Sequence, residues 1–166
     1  MSNSQIYIGT VNGIVVCVDS INHRQLSGRF YHSYSREAVD FCNLEQLLFR
    51  MEQLFNILQF PFPSTNERIF AGTKDHESKF SNINNVDQER IMNDDELLMK
   101  HGDLGSFIIR VQHRQNSSWQ GRITWMEKNQ TVYFRSVWEM MKLIENAIDT
   151  VSPQEEDGPE PSWPAE

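Results

Sequence analysis

Residues 13–58 and residues 106–151 carry one pattern of 46 residues, offset by 93 positions without a gap. Gly28-Arg29 falls on Gly121-Arg122, Phe41 on Phe134, Asn43 on Ser136 and Gln46 on Glu139. The trio Ile14, Val16 and Val18 falls on Phe107, Ile109 and Val111. The set Leu44, Leu47, Leu48, Met51, Phe55 and Leu58 falls on Val137, Met140, Met141, Ile144, Ile148 and Val151. A fixed offset over so many positions is the mark of an architectural repeat. Each copy must then fold the same way, and the two must share or stack their apolar faces.

The second copy shows what that fold is. Phe107, Ile109 and Val111 alternate with Ile108, Arg110, Gln112 and Arg114, the period of a strand that turns alternate side chains to opposite faces. Asn116-Ser-Ser reads as a turn, Trp119 to Glu127 as a second strand, and Thr131 to Phe134 as a third after Lys128-Asn-Gln. Ser136 then caps a helix, with Glu139 completing a capping box. Apolar residues at 137, 140, 141, 144, 148 and 151 form one stripe of that helix. The first copy reads alike, with Asn43 as the cap. The expected fold is α+β: a tandem duplication of a β-β-β-α unit, with curved antiparallel sheets, two packed helices and a pseudo-twofold.

The chain divides accordingly. Residues 1–62 hold the first unit and 106–151 the second. Residues 63–105 form a polar linker, expected to be partly disordered, with a short helix near 93–100 capped by Asn93 or Asp94. Residues 152–166 hold five carboxylates, four prolines and no basic residue, so a disordered acidic tail is expected. At 166 residues the chain suits one domain or two halves sharing a core.

Charge is unevenly placed. The net charge is −8, yet residues 106–150 carry six basic and four acidic side chains, the one net-positive segment. The tail is complementary to it in sign. Overall acidity opposes non-specific nucleic-acid binding, while the second unit does not. No apolar run reaches the length of a membrane span. The start of the chain shows no secretory pattern, and Cys17 and Cys42 do not form a disulfide framework. A cytoplasmic location is expected.

The candidate site is Arg110, Gln112, Arg114, Trp119, Arg122 and Trp125, with Arg110 and Arg114 on one strand face. Guanidinium groups hold phosphates and aromatic rings stack on bases, the chemistry of single-stranded nucleic-acid binding. The competing reading places both tryptophans in the core and leaves the arginines solvated or paired with Glu127. In the first unit Cys17 and Asp19 stand for Arg110 and Gln112, so the two halves share a fold rather than a ligand surface. The histidines show no metal-ligand spacing with either cysteine, and no nucleophile has an identifiable base. No metal, cofactor or enzymatic activity is expected.

The stretches Phe107-Ile-Ile-Arg-Val, Gly121-Arg-Ile-Thr-Trp and Phe134-Arg-Ser have counterparts in Gly13-Ile-Val-Val-Cys-Val, Gly28-Arg-Phe-Tyr-His and Phe41-Cys-Asn. With the helix behind each, the pattern resembles the Pur-alpha repeat and the wider Whirly-like group. That resemblance implies binding of single-stranded DNA or RNA through the sheet. The run from Phe107 to Gly121 also resembles a group of uncharacterised bacterial proteins, which implies no activity. Arg110-x-x-x-Arg114 followed by Asn116-x-Ser118-x-x-Gly121 resembles the two elements of the PilZ cyclic-di-GMP site and implies a nucleotide sensor. The same residues also read as a plain turn after an arginine-bearing strand. The expectation is therefore a non-enzymatic binding module for single-stranded nucleic acid. A protein–protein adaptor using the tail and linker is the alternative, and a cyclic-dinucleotide sensor the third reading.

Overall fold

The computed structural model describes residue 8, residues 11–63, residue 70 and residues 89–153. The disorder expected in the linker and tail falls mainly on 64–69, 71–88 and 154–166, outside the described residues. The elements are β1 (Ile14–Asn22), β2 (Gln25–His32), β3 (Val39–Phe41), α1 (Leu44–Leu58), α2 (Asp94–Leu98), β4 (Gly105–His113), β5 (Gln120–Trp125), β6 (Gln130–Phe134) and α3 (Val137–Val151), with a 3-10 turn at Met126–Lys128. The expected second strand is thus shorter than its reading, because the chain leaves the ladder at Met126.

All six strands form one antiparallel sheet in the order β3-β2-β1-β4-β5-β6. Separate sheets for the two units are not what forms. β1 and β4 pair with each other through Ile14↔Ile109, Val15↔Ile108 and Val16↔Phe107. These residues are too apolar on both faces to stand at a sheet edge. The β1–β2 register shifts between Val18 and Ser20, and the β4–β5 register between Val111 and His113. Asp19 and Gln112 are therefore the extra residues of two bulges, which bend the strand and re-aim the side chains beyond them. Gly28 pairs with Phe41 and Gly121 with Phe134.

One sheet face carries both long helices. Ile14, Val16, Val18, Phe30, Phe41, Phe107, Ile109, Val111, Ile123 and Phe134 pack with Leu47, Met51, Phe55, Met140, Ile144 and Ile148 into the main core. Most of the two helix stripes read from sequence enter this core, but Val151 is exposed and Met141 lies outside it, while Leu54 and Ala147 join from outside the stripes. Each helix also reaches over the hairpin of the other half. Phe55 of α1 meets Trp119 edge-on, with ring centroids 5.3 Å apart. Lys142, Glu145 and Asp149 of α3 line a groove with Ile21, Arg24 and Leu26 of the first hairpin. The opposite face is covered at its centre: Val15, Cys17 and Ile108 are buried beneath Ile8, Met92 and Leu97. α2 is thereby held on the sheet.

The helix starts follow their caps. Asn43 has extended backbone, and its Oδ1 accepts from the Gln46 N–H at 2.7 Å. The Oγ of Ser136 accepts from the Glu139 N–H at 3.1 Å. Asn93 caps α2 through the Glu96 N–H at 2.9 Å. Asn43→Ala and Ser136→Ala are each expected to lower stability by about 1 kcal/mol, the usual loss of an N-cap. Denaturant melts check this, and unchanged midpoints in both variants would contradict the caps.

Candidate nucleic-acid interface

The six residues singled out from sequence do not form one surface. Arg110 and Arg122 stand directly opposite each other on β4 and β5, and Arg122 stands opposite Tyr133 on β6. Residues directly opposite in a ladder share a face. Val111, next to Arg110, belongs to the main core, so these three lie on the face away from the long helices. Gln112 is the bulge residue beside them.

Arg114 is corrected to the other side. The bulge at Gln112 breaks the alternation, and Arg114 turns towards α1. It is only 6% exposed. Its Nε donates to the Pro61 carbonyl at 2.6 Å, one terminal nitrogen donates to Asn56 Oδ1 at 2.7 Å, and its guanidinium lies 5.9 Å from the centroid of the Phe55 ring. It fastens the second hairpin to the end of α1. Arg110 and Arg114 therefore do not share a strand face. In the turn likened to the PilZ element, the Ser118 Oγ accepts from the Val137 N–H at 3.0 Å at the start of α3.

Trp119 and Trp125 are also on the helix side. Trp119 is buried against Phe55. Trp125 is half-buried and lies nearly parallel to Phe107 at 6.5 Å. It lines a cleft of about 190 Å³ between β6 and α3, with Phe107, Ile123, Val132, Leu143 and Ala147. Both rings are packing residues first, as aromatic side chains on strands usually are. Glu127, a partner for the arginines only in the competing reading, accepts from the Ser106 N–H at 3.0 Å.

What remains on the outer face is compact. The Arg122 guanidinium lies 4.6 Å from the centroid of the Tyr133 ring, and Tyr133 is 60% exposed. A cation over a ring at this distance is held in a fixed attitude. Arg122 Nε is shielded from solvent and has no hydrogen-bond acceptor among the described residues. Arg110 reaches the Ile8 carbonyl at 3.5 Å. Beside them the Thr124 and Thr131 hydroxyls meet at 2.8 Å. Tyr133 was missing from the sequence-derived set, although its place two residues after Thr131 on a short strand puts it opposite Arg122.

The matching region of the first half is chemically closed. Arg29 forms an ion pair with Asp19, donates to the Tyr31 hydroxyl at 2.8 Å and reaches the His101 carbonyl at 3.2 Å. The bond to Asp19, then that to Tyr31, raises the Arg29 pKa further above its ordinary value. Cys17 stands opposite Arg29, and burial pushes its thiol up to about 11. It is a buried thiol rather than a nucleophile at neutral pH. Burial also lowers the His32 pKa, favouring the neutral ring whose Nδ1 accepts from the Tyr34 N–H at 3.1 Å.

No protein-family model matches this chain, and neither does any curated protein or solved structure compared with it. Among the described residues no group of three or more His, Cys, Asp or Glu is placed to hold a metal, and no helix is long and apolar enough to cross a membrane.

Proposed function

We propose that this protein is a non-enzymatic binding module for single-stranded nucleic acid, and that the outer face of β4–β6 is its contact surface. The observation that carries this reading is the Arg110–Arg122 pair, two like charges directly opposite in one ladder. Like charges directly opposite repel across a ladder, and an anion held between them would offset that repulsion. A phosphate supplies that anion, and two guanidinium groups bind it with directional, charge-assisted bonds. Tyr133 offers an exposed ring beside the arginines, where a base can stack. Gln112 flanks the pair where the first half carries Asp19, so the second half has no carboxylate at that position.

The surface is smaller than the sequence suggests, because Arg114, Trp119 and Trp125 serve the core. We further read the chain as a tandem duplication about a pseudo-twofold axis through the Val15–Ile108 pair. The matching bulges, the two Gly–Phe pairs and the two 15-residue helices at the same offset support it. The resemblance to Pur-alpha-like repeats accords with both readings.

Arg122→Gln is expected to weaken binding to a single-stranded oligonucleotide about tenfold and to lower the slope of log affinity against log salt by about one phosphate contact. Fluorescence anisotropy at two salt concentrations measures this. A wild-type chain that binds no oligonucleotide at low salt would overturn the reading. It would favour a protein-adaptor role, for which α1 and the residues after it present Phe49, Ile57, Phe60 and Phe62 to solvent, Phe49 at 58% and Phe62 at 66% exposure.

A further inference from the structure

β6 ends the sheet, and among the described residues it pairs with β5 alone. Its outer edge is a row of backbone donors and acceptors. Folded proteins protect such edges by shortening them, or with a bulge, a proline, a charge or a covering segment. The opposite edge, β3, follows that rule: it has three residues, one of them Asp40. β6 does not. It runs five residues, Gln130-Thr-Val-Tyr-Phe, with no charge, proline or glycine, and its pairing with β5 is unbroken by a bulge. Four of the five are exposed, Val132 at 44%. Val132 is also a wall of the apolar cleft beneath α3.

We infer that β6 is a self-association strand, and that its partner is β6 of a second copy of this chain, paired antiparallel about Val132. The strand's own sequence favours this occupant. With Val132 opposite its counterpart, Thr131 faces Tyr133 and Gln130 faces Phe134, so no two charges meet within the ladder. The nearest basic residues, Lys128 and Arg135, fall opposite Ser136 and Asn129 rather than opposite one another. Val132 is buried against its counterpart, extending the apolar wall of each cleft across the axis. Such an interface is isologous and closes as a dimer, leaving the short, charged β3 edges outermost. The result is a continuous sheet of twelve strands, twice the six of one copy. A five-residue ladder with one apolar pair is small beside the interfaces of obligate dimers, so the dimer dissociates in the micromolar range. The pairing requires nothing of the nucleic-acid reading, although it would bring the Arg122–Tyr133 surfaces of two copies onto one sheet.

The test is sedimentation velocity of the full chain over the micromolar to millimolar range, for wild type and two double variants. Thr131→Glu with Tyr133→Glu sets carboxylates opposite each other in both cross-copy pairs, and about tenfold weaker dimerisation is expected. Thr131→Lys with Tyr133→Glu replaces each clash by an opposite-charge pair, and dimerisation at least as tight as wild type is expected. Both variants keep Glu opposite Arg122, and circular dichroism checks that both fold. A wild-type chain that stays monomeric throughout overturns the inference. So does a dimer equally tight in all three proteins, which would place the interface elsewhere. An edge that instead takes a strand from another protein leaves wild type monomeric and counts against the proposal.

Discussion

Gly121→Ala is expected to remove more than about 4 kcal/mol of stability, the exceptional end of single-substitution effects. A Cβ at this position would overlap the carbonyl oxygen of Arg110 and crowd the Cα of Val111. Both are backbone atoms in the β4–β5 ladder, next to the bulge. They cannot rotate aside as a side chain would, so relief requires β4 and β5 to separate. Gly28→Ala meets the same obstacle at the Cys17 carbonyl and the Cα of Val18, and a loss of the same order is expected. Urea melts of both variants measure it. A native midpoint for either would mean that its strand sits in another register.

The second large effect is expected at Arg114. Arg114→Ala removes a buried guanidinium whose bonds to the Pro61 carbonyl and Asn56 Oδ1 are both short. Two acceptors lose their charged donor and the ring of Phe55 loses its cover. Breaking a buried charge-assisted network of this kind costs about 3 kcal/mol. Arg114→Lys keeps the charge but replaces a planar fork with a point donor, so most of the loss should remain. Oligonucleotide affinity, measured well below the melting temperature, is expected to stay at the wild-type value. An affinity loss without a stability loss would return Arg114 to the binding surface.

The contrast between Arg114 and Arg122 shows what could be read from the chain. Helices, caps and turns depend on neighbours within a few residues, so the caps Asn43 and Ser136 could be located before any fold was known, and that of α2 narrowed to Asn93 or Asp94. Arg114 could not be placed, because its face depends on an extra residue at Gln112 that leaves no compositional mark. The tryptophans were ambiguous for another reason. Ring size and alternation suit a stacking platform as well as a core, and only the approach of Phe55 decides Trp119. Strand order was hidden too. The β1–β4 pairing joins residues far apart in sequence, and local periodicity carries no information on it. The same holds for the cover of Ile8, Met92 and Leu97 over Val15, Cys17 and Ile108. The continuous apolar run from Ile14 to Val18 was the available hint, since a strand buried on both faces does not alternate.

The reach of each helix over the other half's hairpin has a consequence for how the molecule can come apart. Phe55 and Asn56 belong to the first half of the chain but pack around Trp119 and Arg114 of the second. Neither half can open without stripping its neighbour, so the join between the halves is not a hinge or a domain border. The two halves should therefore melt together in one transition.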